Sequence, residues 1–272
     1  MICQSMPIAH SNGCRIYYET FGEGEPLLLV AGQASDRHSW DGVREGLQTR
    51  YQVIVYDHRG TGLSDKPTEP AYTTRLLAAD AIAVLDSLGI ERAHAYGVSM
   101  GGRICQWLGI EHGARVASLI LCSTTPGNAH GVARDSEISA AMTKGFADQE
   151  AAQLVMSTIF SSGWIAAHIE VLRAMQERAI PPFAQALHFQ CSESHDAWAL
   201  LPTIENPTLV MHGSADRLNP TANAALLATV IPGAELRMID SGLHGAYLER
   251  ADECNAIVLD FLARHPIRKV EP

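Results

Sequence analysis

The chain has 272 residues, of which only 6% are aromatic, and just three of its twenty basic residues are lysine. Thirty Asp and Glu outweigh the twenty Lys and Arg, leaving a formal net charge of −10. That shortage of positive charge argues against a general affinity for nucleic-acid phosphates or anionic membrane surfaces. No apolar run approaches the roughly 18 residues needed to cross a bilayer. The N-terminal MICQSMPIAHSNGCRIYYE lacks a basic leader and a continuous apolar stretch, so no secretory signal is expected and a cytoplasmic location is predicted. The six cysteines (Cys3, Cys14, Cys105, Cys122, Cys191 and Cys254) form no CxxC, and several fall in apolar segments where a thiol behaves as a small hydrophobe. Disulfides are not needed to explain the chain. HExxH, P-loop and GxGxxG motifs are all missing, so metal, nucleotide and dinucleotide chemistry lack support and no cofactor is expected.

What is present is the composition of one ordinary globular domain, 47% apolar and 18% charged. Short β-branched or apolar runs alternate with helix-length amphipathic stretches, the pattern of an α/β fold with a mostly parallel sheet flanked by helices. Strands are predicted near Arg15 to Thr20, Leu27 to Val30, Val53 to Asp57, Ala93 to Val98 and Val116 to Cys122. Helices are predicted near Trp40 to Thr49, Thr73 to Leu88 and Met100 to His112. After Pro126 the strand signal stops until Thr208 to His212, and the intervening sequence, rich in Ala, Met, Gln and Glu, reads as an inserted helical cap over 125–202. The core domain is then 1–124 together with 203–272, its second part carrying helix Thr221 to Thr229, strand Glu235 to Ile239 and helix Asp252 to Ala263. The insertion holds six of the ten Phe and Trp residues: Phe146, Phe160, Trp164, Phe183, Phe189 and Trp198. Most are expected to fill its own core and its seam with the sheet, with one or two left to roof a substrate cleft.

The chemistry centres on Gly97-Val98-Ser99-Met100-Gly101, which follows the apolar run AHAY and opens the helical segment GRICQWLGIEH. The glycines clear space in a tight strand-to-helix turn, Ser99 is forced into a strained exposed conformation, and the helix aims its free amides at the hydroxyl. A serine hydroxyl is inert at neutral pH without a base that an acid orients. Asp216, in HGSADRLNP, and His244, in SGLHGAYLE, lie just past predicted strands, where the carboxyl ends of an open α/β sheet converge. The order Ser, Asp, His matches the nucleophile-elbow arrangement.

These segments, with the Gly32 turn after LLLVAG and the run Asp57-His58-Arg59-Gly60-Thr61-Gly62-Leu63-Ser64, resemble the α/β-hydrolase superfamily along the whole chain apart from the insertion. Within it the sequence looks most like small bacterial carboxylesterases and enol-lactonases with a helical cap. The resemblance implies an α/β-hydrolase fold, with Ser99 as nucleophile, Asp216 as orienting acid and His244 as base. It also implies an oxyanion hole formed by the backbone amides of Gln33 and Met100. Relatives often carry His-Gly before the second donor, where this chain has Ala31-Gly32. The implied activity is cofactor-free hydrolysis of small, partly apolar esters or lactones through an acyl-enzyme.

Other candidates have blander readings. His94 and His212 fall in or beside strands, His58 in a tight turn, and His10 and His265 near the termini. His188, Cys191 and His195 could line one helical face as metal ligands, but a fourth ligand is missing. Asp57 and Arg59 read as turn-stabilising ions. Asp135, Glu137 and Asp148 lack strand-end positions. Three alternative activities share the triad: C–C bond hydrolysis, cofactorless perhydrolysis and low-turnover ligand sensing. Gly-Ala-Tyr after His244, where ring-fission hydrolases often have Trp, argues against the first.

Overall fold

The computed structural model describes residues 6–144, 148–178 and 180–267; Cys3 and Phe146 lie outside the described residues. The chain forms one sheet from β1 (Ile8–Ser11), β2 (Cys14–Phe21), β3 (Glu25–Val30), β4 (Tyr51–Tyr56), β5 (Ala93–Val98), β6 (Val116–Cys122), β7 (Thr208–Gly213) and β8 (Glu235–Ile239). Their spatial order is β1-β2-β4-β3-β5-β6-β7-β8. The first two strands pair antiparallel, and every pairing from β4 to β8 is parallel. This is the α/β-hydrolase fold expected from the sequence.

Parallel strands covered on both faces read as continuous apolar runs, because neither face meets water. β5 and β6 are buried at every position, and their two polar residues, His94 and Ser118, bond each other at 2.8 Å. Successive residues still point to opposite sides, so Leu28 and Val30 pack with one layer while Leu27 and Leu29 pack with the other. The first layer contains α2 (Thr74–Ser87), α3 (Met100–His112) and α9 (Ala222–Val230); the second contains α1 (Asp41–Leu47) and α11 (Ala251–Arg264). Truncating any of these buried leucines to alanine costs about 2–5 kcal/mol, the lost transfer energy plus the cavity.

Between β6 and β7 run α4 (Ser136–Lys144), α5 (Gln149–Ile159), α6 (Ser162–Ala167), α7 (Ile169–Glu177) and α8 (Pro182–Glu193), and the short α10 (Ala246–Glu249) follows β8. Side-chain caps start several helices: Thr73 accepts from the Leu76 amide for α2, Asp148 from Ala151 for α5 and Ser161 from Trp164 for α6. Strand β1 was not expected from the sequence, although its signal was there. Asn12-Gly13 joins Ser11 to Cys14 with both central residues at positive φ, 49° and 75°, the two-residue turn that Asn-Gly favours. Among the described residues no helix is long and apolar enough to cross a membrane.

Candidate active site

Ser99 stands between β5 and α3 with φ 57° and ψ −117°. A non-glycine residue in such a conformation costs roughly 1–3 kcal/mol and persists only where its surroundings enforce it. Here the Ser99 amide donates to the Cys122 carbonyl at 2.9 Å, and the Ser99 carbonyl accepts from the Gly102 amide at 3.0 Å and the Thr124 hydroxyl at 2.7 Å. The flanking glycines are dictated by close backbone approach. A Cβ on Gly97 would overlap the Gly101 carbonyl, and one on Gly101 would overlap the Val30 carbonyl.

Asp216 and His244 come from the loops after β7 and β8 and are both buried. Asp216 Oδ1 accepts the amides of Leu218 and Asn219, each at 2.9 Å, and Oδ2 accepts from His244 Nδ1 at 2.9 Å. His212 Nε2 lies 3.1 Å from the same Oδ2. Burial alone would raise the Asp216 carboxyl, but the adjacent His244 and the hydrogen bonds from His212 and His244 outweigh it and hold it at about 2. An ionised carboxylate only accepts, so in the neutral His244 imidazole the proton sits on Nδ1 and Nε2 keeps a free lone pair. The loops are tied together by Asn219, whose side chain donates to the Ser123 carbonyl at 2.7 Å, next to the Cys122 that holds Ser99. Among the described residues Ser99 Oγ makes no hydrogen bond to His244. The structure therefore joins Asp216 to His244 directly and places Ser99 at the same sheet edge, with β6 between its strand and β7.

Gly32 and Gln33 follow β3. A Cβ on Gly32 would sit 3.6 Å from Ser99 Cβ, so this loop packs directly against the serine. Among the described residues neither the Gln33 amide nor the Met100 amide has an acceptor, which leaves both free to serve a ligand. His58, fully buried, donates from Nε2 to the Ala31 carbonyl at 3.0 Å and so fixes the start of the loop.

The remaining candidates have other partners. Arg59 and Asp80 form a doubly hydrogen-bonded pair with both side chains fully buried, and Asp57 accepts from the Arg37 and Leu63 amides and the Arg37 guanidinium. Asp135 pairs with Arg217, and Asp148 caps α5. His195 accepts the Thr74 hydroxyl at Nδ1 and donates to the Gln106 side chain from Nε2, at 2.8 and 3.0 Å, so both ring nitrogens are occupied. His188 is likewise engaged at both nitrogens. Cys14, Cys105, Cys122, Cys191 and Cys254 are buried free thiols.

Sequence reasoning missed the second imidazole on Asp216. The signal available for it was His212, four residues before the acid in HGSAD. It also missed how the insertion meets the histidine loop: the His244 and Gly245 amides donate to the Thr158 and Ile159 carbonyls at 3.3 and 2.8 Å. Phe160 presses on Gly245 so closely that a Cβ there would overlap its ring, and Trp164 stacks on Phe160 at 4.2 Å. Ser161 adds hydrogen bonds from its amide and hydroxyl to Glu249. Of the other insertion rings, Phe183 is exposed and Trp198 packs against the main core.

The sequence pattern described as alpha/beta hydrolase fold matches residues 25–155. A curated relative from Azorhizobium caulinodans, named "Putative carbamate hydrolase RutD", is 31% identical over 260 residues, covering 94% of this chain and 98% of its own. The solved structure of Est816, described as an N-acyl homoserine lactone degrading enzyme, is 30% identical with a TM-score of 0.82, covering 94% of this chain and all of the other. The enol-lactonase from Burkholderia xenovorans LB400 is 26% identical with a TM-score of 0.81, covering 94% of this chain and 100% of the other.

Proposed function

This chain belongs to the α/β-hydrolase fold family, and from that premise we propose that it is a cofactor-free serine hydrolase of small, partly apolar esters or lactones. The observation that carries the reading is the strained Ser99 turn at the same edge of the parallel sheet as a buried Asp216–His244 pair that leaves one imidazole nitrogen free. Ser99 Oγ attacks the substrate carbonyl while His244 Nε2 takes its proton. Asp216 holds the ring and stabilises its positive charge. The amides of Gln33 and Met100 receive the developing oxyanion, a contribution worth about 10²–10³ in turnover for a single donor. His244 then returns the proton to the leaving alkoxide, and the acyl group remains on Ser99. Water repeats the attack with the same base, releasing the acid and restoring the serine.

Segment 125–202 acts as the cap in this reading, and its Phe160–Trp164 stack beside the histidine loop supplies apolar surface near the acyl path. The lactone-degrading relatives support lactones as substrates, and esters share the same carbonyl chemistry. The name carried by the A. caulinodans relative adds carbamates, whose carbonyl passes through the same type of tetrahedral intermediate.

Turnover on a panel of p-nitrophenyl esters, lactones, an alkyl carbamate and a vinylogous β-diketone tests the proposal. Repeated turnover with the highest kcat/KM on an ester or lactone is expected. A stoichiometric burst without recycling would overturn it in favour of a sensor, and a preference for the diketone would overturn it in favour of C–C cleavage.

A further inference from the structure

Helix α8 presents His188 to the core with both ring nitrogens committed. Nδ1 accepts the Ala34 amide at 3.3 Å, and Nε2 donates to the Arg59 carbonyl at 2.8 Å. A backbone amide only donates and a carbonyl only accepts, so these partners fix a neutral ring with its proton on Nε2. Burial, helped by the neighbouring His58, pushes the imidazole down to about 3 and so preserves the acceptor at Nδ1. The ring is wedged in place: its centroid lies 5.5 Å from that of Tyr72, and a Cβ on Gly60 would come within 3.2 Å of Nε2.

The amide held by His188 is the one immediately after Gln33. Ala34 has φ 57°, a left-handed conformation that an alanine adopts only when held there. His58 and His188 therefore bracket the loop, one gripping the Ala31 carbonyl and the other the Ala34 amide. Between the two grips lies Gln33, whose own amide is left without an acceptor among the described residues. One bracket comes from the core, and the other from α8 in the inserted segment.

We propose that His188 is a positioning residue that holds Ala34 in its left-handed conformation and thereby aims the Gln33 amide at the oxyanion. The proposal rests on the reading of Gln33 as an oxyanion donor given above. His188 does not touch the reacting atoms in this role. It makes the docking of α8 a condition for a complete oxyanion hole.

Two substitutions separate the two hydrogen bonds. His188→Asn places an oxygen where Nδ1 stands and gives up Arg59; His188→Gln places its amide near Nε2 and leaves the Ala34 amide unpaired. Both lose one bond of the same kind, so their melting temperatures are expected to fall by similar amounts. Turnover is expected to separate them, with kcat of His188→Asn within roughly threefold of the parent and that of His188→Gln down at least about tenfold, bounded by the 10²–10³ of a lost donor. KM is expected to stay near the parent value in both. Equal kcat losses in the two variants, or parental kcat in His188→Gln, would overturn the proposal. A ¹⁵N spectrum of the parent protein tests it independently of how the variants fold: the Nε2-protonated tautomer is expected across roughly pH 5–8, and the opposite tautomer or a charged ring overturns it. Absence of an acyl-Ser99 adduct in the parent would retire the underlying reading, whereas an adduct together with an unimpaired His188→Gln would retire only the positioning role.

Discussion

Helices α7 and α8 are neighbours in the same inserted segment, yet they are held in opposite ways. Among its described side chains α7 buries none, and Ile169 and Val171 are 47% and 39% exposed. By contrast, α8 buries Ala184, His188, Cys191 and Ser192, and to its apolar contacts it adds directional polar ones. His188 bonds the Ala34 and Arg59 backbone, the Arg103 guanidinium donates to the Ser192 carbonyl and hydroxyl, and His195, just past the helix end, bonds Thr74 and Gln106. Apolar contact would seat a helix without fixing its register, since it has no direction. Hydrogen bonds at defined ring nitrogens fix rotation and translation together. The difference teaches that α8 is pinned by directional bonds on the side facing the Gln33–Ala34 loop, whereas α7 buries none of its described side chains.

The largest effect is expected where the floor beneath α8 is removed. Asp80→Ala leaves the fully buried Arg59 without its partner, and Arg59 supplies the carbonyl that His188 grips. A loss of about 3–5 kcal/mol is expected in denaturant unfolding, and a loss under about 1 kcal/mol would contradict the anchoring role. Next comes His195→Leu, which leaves the Thr74 hydroxyl and the Gln106 carbonyl oxygen unpaired and is expected to cost roughly 2–4 kcal/mol by the same measurement.

Acid should act on the same anchors. Burial holds His58, His188 and His195 below the ordinary histidine value, so the unfolded chain takes up protons that the folded one refuses. Their stabilising contribution is complete above about pH 6.5 and is lost as pH falls toward the folded values, at about 1.4 kcal/mol per pH unit for each ring. Asp216 does not add to that early loss, because its contribution persists until pH falls from about 4 toward 2. Melting temperature is therefore expected to drop between pH 7 and 5, and a flat profile there would count against neutral anchors. The smallest effect belongs to α7, where Ile169→Ala and Val171→Ala are each expected to change stability by no more than about 0.5 kcal/mol.

The sheet was readable because it rests on local rules, and the Ser99 turn stood out for the same reason. Runs such as LLLV and SLILC mark strands buried on both faces, and a serine between glycines at a strand-to-helix junction has few other uses. Asp216 and His244 were chosen for their strand-end positions and their order after Ser99, and the structure brings these two side chains into hydrogen-bonded contact. β1 was missed although Asn12-Gly13 announced it, because a four-residue edge strand carries too little periodicity to stand out. His188, Cys191 and His195 are all buried, but the helix ends at Glu193 before His195, and spacing cannot distinguish a metal from hydrogen-bond partners. Those partners, Ala34, Arg59, Thr74 and Gln106, lie from 89 to 154 residues away and meet α8 only once the sheet has formed. The division of the insertion's described residues into α4–α8 was equally illegible, since its breaks depend on local caps such as Ser161 and on contacts with the histidine loop.

The most direct measurement is intact-mass and peptide analysis after reaction with a fluorophosphonate, run beside p-nitrophenyl acetate hydrolysis for the parent and for Ser99→Ala. One adduct on the peptide bearing Ser99, absent in the variant together with a fall in turnover of about 10⁴–10⁶, is the expected result. A variant that still labels and hydrolyses like the parent would contradict the assignment of the nucleophile and of everything arranged around it.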